Sequence, residues 1–190
     1  IMVAEELQDS IDNAELSREE ATAFLRKELS HVRAGKANPA LLEGIKVQYY
    51  GSQTPLQQLA NLSAPEPRLL VVQPYDRSGM EDIEKAIMSA GLGLNPNNDG
   101  ERILIPLPIL TEERRKELVK HSKDVAEKAK ISIRNARRDA NDSIKKIVES
   151  ESLSEDSRYE AEGEVQKLTD NFTAKVDDML TKKEEEIMTV

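Results

Sequence analysis

Residues 111–147, TEERRKELVKHSKDVAEKAKISIRNARRDANDSIKKI, decide the fold because they follow one uninterrupted helical period. Apolar or small residues recur every three or four positions, which places them on one face of an amphipathic helix. Thr111 followed by Glu112 and Glu113 is a suitable helix start, since a hydroxyl can cap free N–H groups and carboxylates favour the positive helix end. The predicted buried stripe is Leu118, Ser122, Val125, Ala129, Ile133, Ala136, Ala140, Ile144 and Ile147.

Both ends of the chain show the same period. Residues 4–33 predict one helix that ends at Gly35, and residues 154–180 predict a last helix that opens at Ser154 and that Ile187 would extend. A helix with a single apolar stripe cannot bury that stripe alone. The three helices therefore predict a three-helix bundle assembled from both ends of the chain.

The middle of the chain, residues 37–110, changes to short β-type runs separated by Pro and Gly. We expect a small α/β module with its own core there. Its predicted elements are strands in IKVQYYG (45–51) and RLLVVQPY (68–75), an extended QTPLQQLANLSA (53–64), a helix in MEDIEKAIMSAGL (80–92) closed by Gly91 or Gly93, and two strands around a long polar turn in LGLNPNNDGERILIPLP (92–108).

The predicted fold is thus α+β, with a bundle domain of residues 1–34 and 111–190 and an inserted β/α/β sandwich of residues 35–110. Two crossings rich in Gly and Pro connect the domains and predict a double hinge, a fixed interface being the alternative. The hinge residues are Ala34, Gly35, Lys36, Pro106 and Pro108.

The composition excludes several classes of chemistry. The 190 residues include no Cys, which excludes disulfides, thiolate zinc sites and cysteine nucleophiles. The two histidines, His31 and His121, lie on separate predicted helices, and no metal, phosphate-loop or nucleophile motif is present. No apolar run is long enough to span a bilayer. We therefore expect a soluble protein without enzymatic activity, cofactor or metal.

The positive charge is concentrated in one segment of a chain whose net charge is -9. Residues 112–150 hold 12 Lys and Arg against 8 Asp and Glu, whereas the remaining segments are net negative. On a helical wheel most of these cations lie within about 40° of Arg134, with Arg137 about 60° to one side and the apolar stripe opposite. We call the following residues the basic ridge: Lys116, Lys120, Lys123, Lys130, Arg134, Arg137, Arg138 and Lys145.

The basic ridge predicts contact with nucleic acid. Arginine presents a planar fork that binds phosphate in two places, and only Glu127 interrupts the ridge. Because no aromatic residues interleave it, backbone contact with structured RNA fits better than stacking on single-stranded bases. The alternatives are a solvated face or a helical adaptor whose charged faces bind proteins.

Four segments carry a resemblance to a known family. HVRAGKANPALLEGIKVQYYGSQTPLQQLA (31–60), DRSGMEDIEKAIMSAGLGLNPNNDG (76–100), IPLPILTEERRKEL (105–118) and IRNARRDANDSIKK (133–146) resemble the bacterial ribosome recycling factors. The resemblance covers nearly the whole chain and is weakest over the first twenty residues and the C-terminal helix. Lys36 stands where many members carry Arg.

The resemblance implies an L-shaped cytoplasmic monomer that acts after translation termination. Such a factor binds large-subunit ribosomal RNA of the 50S subunit through its bundle. Elongation factor G then hydrolyses GTP and drives the second domain, so that the subunits separate and messenger RNA and deacylated transfer RNA leave. By motif, Arg137 corresponds to the family's essential arginine, with Arg134 and Arg138 beside it and Arg33 on the opposite helix, close to the hinge.

Overall fold

The computed structural model describes residues 3–34 and 36–189, so Gly35 lies outside the described residues. The first helix was predicted to reach residue 33, but it ends at Ser30, so Arg33 lies beyond it. The predicted α+β class is confirmed. The helices are α1 (Glu5–Ser30), α2 (Leu56–Leu59), α3 (Met80–Ser89), α4 (Glu112–Ser150) and α5 (Glu155–Met188). The strands are β1 (Lys46–Tyr49), β2 (Ser52–Pro55), β3 (Ala60–Glu66), β4 (Leu69–Pro74), β5 (Asn97–Asn98) and β6 (Ile103–Pro106).

Two compact units divide the chain. The bundle unit comprises the residues up to Leu29 together with Lys120–Glu184, and the sheet unit comprises Ser30–Val119 together with the residues from Glu185 onward. The predicted domain boundaries after residues 34 and 110 stay a prediction, as does the hinge. The described hinge residues all belong to the sheet unit, namely Ala34, Lys36, Pro106 and Pro108.

The bundle unit packs α1, α4 and α5 around an aliphatic core, as predicted. One cluster joins Leu7 of α1, Ile144 of α4 and Val165 of α5. A second cluster joins Leu25, Ile133 and Phe172 of the same three helices. Burial of one stripe per helix supplies most of the stabilisation, because amphipathic helices of this kind gain little from propensity alone.

Both long C-terminal helices begin with the predicted hydroxyl caps. Thr111 Oγ1 accepts a hydrogen bond from the Arg114 backbone N–H at 3.1 Å. Ser154 Oγ accepts from the Ser157 N–H, also at 3.1 Å. Each bond satisfies one of the backbone donors that a helix start leaves without an intrahelical partner.

The sheet unit has two antiparallel sheets that share a core with α3. Strands β1 and β2 form a hairpin, and the second sheet has the order β3-β4-β6-β5. α3 turns its apolar face inward against both sheets. Their common core includes Val47, Leu56, Leu70, Val72, Met80, Ile83, Ile87, Ile103 and Ile105.

The prediction of a continuous extended segment at 53–64 was wrong at its centre. Residues Leu56–Leu59 form one helical turn between β2 and β3, and the Ala60 N–H closes it by donating to the Leu56 carbonyl. Pro55, with φ -57°, stands at its start, where a missing N–H costs nothing. The turn buries Leu56 completely and redirects the chain into the second sheet.

Both crossings toward the helices are hydrogen-bonded to one turn of the sheet unit. The Ala37 N–H donates to the Pro67 carbonyl, and the Leu107 N–H donates to the Arg68 carbonyl, each at 2.7 Å. Pro67 and Arg68 form the turn between β3 and β4. Residues 37 and 107 are therefore fixed to the same hairpin.

Candidate nucleic-acid interface

The basic ridge lies on the solvent side of α4. The opposite side of the helix is buried, and Ile133 and Ile144 are fully inaccessible to solvent. Seven of the eight ridge residues belong to the bundle unit, while Lys116 belongs to the sheet unit. Lys130 is half-buried, and the other ridge residues, Lys116, Lys120, Lys123, Arg134, Arg137, Arg138 and Lys145, are exposed.

Three ridge cations form ion pairs with carboxylates. Arg134 contacts Glu127 at 2.9 Å, and Lys116 contacts Glu112 at 3.6 Å. The Lys130 ammonium contacts Asp177 of α5. Exposed pairs of this kind contribute at most about 1 kcal/mol each. A phosphate can therefore replace the carboxylate at Arg134 and Lys116 at small cost.

Four other ridge cations carry uncompensated charge. Among the residues that the structure describes, no carboxylate lies within ion-pair distance of Lys120, Lys123, Arg138 or Lys145. These four side chains are exposed along roughly 37 Å of helix, at 1.5 Å per residue. This row of cations is suited to the evenly spaced phosphates of a nucleic-acid backbone.

Arg137 differs from its neighbours because it is held by a neutral group. Its Nη1 donates to Gln166 Oε1 of α5 at 3.3 Å. The amide nitrogen of Gln166 in turn donates to Asp170 Oδ1 at 2.9 Å. Since a guanidinium only donates and a carboxylate only accepts, the amide oxygen must face Arg137. Gln166 thus separates Arg137 from the nearest carboxylate of this network.

A buried arginine, Arg18, lies behind this network and was not predicted from the sequence. Its side chain is fully inaccessible to solvent. Nη2 donates to Thr169 Oγ1 at 2.5 Å and to the Val165 carbonyl at 3.3 Å. The signal was present: the apolar spacing of α1 steps from Ala14 to Ala21, and Arg18 fills the missing position.

Arg33, predicted as an RNA contact, lies in the sheet unit. It is half-buried, and its Nε is buried without a hydrogen-bond partner among the described residues. Desolvation lowers the pKa of Arg33, and the positive charges of Arg115 and Arg68 lower it further. Arg115 itself is held by the Thr189 carbonyl at 2.9 Å. These three arginines form a second basic group, separate from the bundle unit.

The described residues assemble no metal site, since nowhere in residues 3–34 and 36–189 do three or more His, Cys, Asp or Glu side chains converge on a position for an ion. No described helix is both long and apolar enough to cross a bilayer. The ring of His31 contacts the Glu43 carbonyl, and His121 is exposed on α4. Among the described residues, neither histidine is hydrogen-bonded to a Ser, Thr or Tyr hydroxyl.

Comparison with known proteins identifies the family. Residues 25–188 match the family model described as ribosome recycling factor. The ribosome-recycling factor of Salinibacter ruber is 55% identical over 184 residues, which is 97% of this chain and 97% of that protein. The ribosome-recycling factor of Bacillus subtilis is 52% identical over 172 residues, 90% of this chain and 93% of that protein.

Solved structures agree with the sequence relatives. A solution structure of the ribosome recycling factor is 40% identical, covers 98% of this chain and 100% of its own, and superposes with a TM-score of 0.82. A second has a TM-score of 0.66 at 45% identity and covers 96% of this chain and 99% of its own. It represents the T. thermophilus ribosome recycling factor and E. coli elongation factor G on the E. coli post-termination complex. On these grounds the chain belongs to the ribosome recycling factor family.

Proposed function

We propose that this protein recycles ribosomes after termination by binding large-subunit ribosomal RNA through the basic ridge. The observation that carries the proposal is the row of cations on the solvent side of α4, four of them without an ion pair among the described residues, opposite a largely buried stripe. On a chain of net charge -9 this row is a local feature, and the acidic remainder disfavours indiscriminate binding to nucleic acid. Membership of the family supports a ribosomal partner.

The partner that supplies energy is elongation factor G, which the related ribosome complex also contains. In this proposal the protein performs no chemistry. It binds as a monomer, and GTP hydrolysis by elongation factor G drives the inserted domain of residues 35–110, so that the subunits separate and messenger RNA and deacylated transfer RNA are released. Any enzymatic step belongs to the partner.

Two backbone hydrogen bonds to the β3–β4 turn limit which residues can act as the proposed hinge. Because Ala37 and Leu107 are fixed to that turn, rotation would arise on the helix side of them. We therefore propose residues 34–36 on the first crossing and 108–110 on the second as the hinge. Pro106, inside β6 and paired with Leu69, would then belong to the moving body.

The test is a subunit-splitting assay by light scattering, combined with affinity for purified 50S subunits. Arg137→Ala is expected to weaken 50S binding by about 1 to 3 kcal/mol, the range for losing a charge-assisted hydrogen bond. Its melting temperature should not fall, because Arg137 is exposed. Lys182→Ala on α5, an exposed cation away from the ridge, is the matched control. Unchanged affinity for Arg137→Ala would contradict the proposal.

Salt dependence separates RNA contact from the protein-adaptor alternative. Each phosphate contact releases counterions, so log affinity should fall with log salt by about 0.7 to 0.9 per contact. An interface with a protein that is mainly apolar would respond weakly. A flat salt dependence of 50S binding would therefore favour an adaptor.

A further inference from the structure

Arg18 is a buried charge that few hydrogen bonds compensate. Its side chain is fully inaccessible, yet Nε and Nη1 have no hydrogen-bond partner among the described residues. Within residues 3–34 and 36–189, its hydrogen bonds are made by Nη2 alone, to Thr169 and Val165. Burying a charge without full compensation is costly, and an apolar residue of similar volume is often as stable or more so.

The position of Arg18 points to Arg137. Arg18 is bonded to the backbone of Val165, and Arg137 is bonded to the side chain of the next residue, Gln166. The two guanidinium groups therefore approach the same turn of α5, one from the core and one from solvent. Both are permanently charged, so they repel each other across this turn.

The electrostatics of Arg18 agree with this geometry. Desolvation lowers the pKa of Arg18, and the positive charge of Arg137 lowers it further. Glu15, one turn earlier on α1, raises it in part, but no ion pair joins the two side chains. The repulsion between the arginines is thus only partly offset.

Arg137 makes no ion pair with Asp170, although this carboxylate belongs to the same network. Asp170 lies one hydrogen bond beyond Gln166 on the same helix. Arg134 and Lys130, neighbouring ridge cations, are both in contact with carboxylates of the protein itself. Arg137 instead makes a bond of 3.3 Å to a neutral amide.

We propose that Arg18 is a positioning residue that acts from inside the bundle on Arg137. Its buried charge keeps the Arg137 guanidinium from folding back onto Asp170, so that Arg137 stays available to an RNA phosphate. The inference rests on the proposed function for its benefit to the protein, but the arrangement itself can be tested without RNA.

The first experiment is a crystal structure of Arg18→Met, which removes the charge and keeps the length of the side chain. Arg137 is expected to leave Gln166 and form an ion pair with Asp170, and the melting temperature should rise by about 2 to 4 °C. Arg18→Lys, which keeps a positive charge, should leave Arg137 in place. An Arg137 still bonded to Gln166 in Arg18→Met would overturn the inference, whatever the protein binds.

The second experiment measures affinity for purified 50S subunits in a double-mutant cycle. Arg18→Met should weaken binding about three- to tenfold when Arg137 is present and have no effect in an Arg137→Ala background. An equal loss in both backgrounds would mean that Arg18 acts through its own field, which contradicts positioning. Normal binding by Arg18→Met would contradict it as well.

A rescue variant adds a readout that a merely structural role would not change. Asp170→Asn removes the carboxylate that Arg137 would fold onto, so it should restore the affinity of Arg18→Met. Failure of this rescue would overturn the inference. If instead Arg137→Ala alone binds 50S subunits normally, the use of Arg137 in the proposed function is wrong, and the crystal structure still decides whether Arg18 positions it.

Discussion

Arg134 and Glu127 form an ion pair of 2.9 Å across two turns of α4, although their side chains are 52% and 57% exposed. Glu127 is the carboxylate that interrupts the basic ridge, so it both neutralises one ridge arginine and repels an approaching phosphate. The pair is a surface pair and contributes little to folding. Its main effect is therefore to lower the positive electrostatic potential at the surface of the basic ridge.

Removing that carboxylate should strengthen RNA binding. Glu127→Gln is expected to raise 50S affinity about two- to fivefold, the range of one surface ion pair, with little change in the melting temperature. Glu164→Gln is the matched control, because Glu164 also pairs with a cation, Lys167, but lies on α5. A loss of affinity in Glu127→Gln would show that Arg134 must be held by Glu127 to bind.

Arg138 should contribute one phosphate contact, which the salt dependence of 50S binding can reveal. Arg138→Ala is expected to reduce the slope of log affinity against log salt by about one. Arg138→Lys should keep the slope, since it keeps the charge, but lose part of the affinity because the planar fork is gone. An unchanged slope in Arg138→Ala would remove this residue from the interface.

The helix cap at Ser154 should make a measurable contribution to the free energy of unfolding. Ser154→Ala removes the acceptor for the Ser157 N–H and is expected to lower the free energy of unfolding by about 1 kcal/mol. Chemical denaturation monitored by circular dichroism measures it. Ser132→Ala, at an exposed position inside α4, is the control and should be neutral or slightly stabilising.

The hydroxyl of Tyr49 should lose its proton at an unusually high pH. Its hydroxyl donates to Asp76 at 2.8 Å, and this hydrogen bond raises the pKa of Tyr49 to about 12. The folded pKa is above the unfolded value of about 10, so the contribution to stability is complete below pH 10 and is lost as the pH rises through 12. Asp76→Asn should move the tyrosinate absorbance step of Tyr49 to lower pH, and Tyr49→Phe should abolish that step.

If the hinge is needed for subunit splitting, a change at the hinge should slow splitting without changing 50S affinity. Gly35→Pro fixes one backbone dihedral and removes an N–H at the first crossing. We expect normal 50S affinity but slower subunit splitting with elongation factor G and GTP. Equal splitting rates for the wild-type protein and Gly35→Pro would contradict a swinging inserted domain.

The sequence predicted the long helices because each has one apolar stripe and one polar face, and that period survives any detail of packing. It missed α2, since four residues are too short to show a helical period and Pro55 resembles a strand boundary. The hydroxyl caps at Thr111 and Ser154 were predictable because capping depends on local order along the chain.

Side-chain contacts between different helices could not be predicted from the sequence. A helical wheel shows which cations share a face, but the pairing of Lys130 with Asp177 joins α4 to α5. Arg18 was not predicted to be buried for a related reason. Charged residues are ordinarily exposed, so the sequence does not show that Arg18 belongs to the buried face of α1. Only the packed bundle shows Thr169 facing it.

The buried guanidinium of Arg18 also determines how the helices can align lengthwise. The apolar clusters around Ile144 and Ile133 consist of interchangeable aliphatic side chains, which alone would tolerate a slip of one helix along another. A single hydrogen-bonding group in the interior does not, because sliding α5 by one turn would take Thr169 and the Val165 carbonyl away from Arg18 and leave its charge wholly unsolvated. One costly buried residue thus fixes the register of α5 against α1.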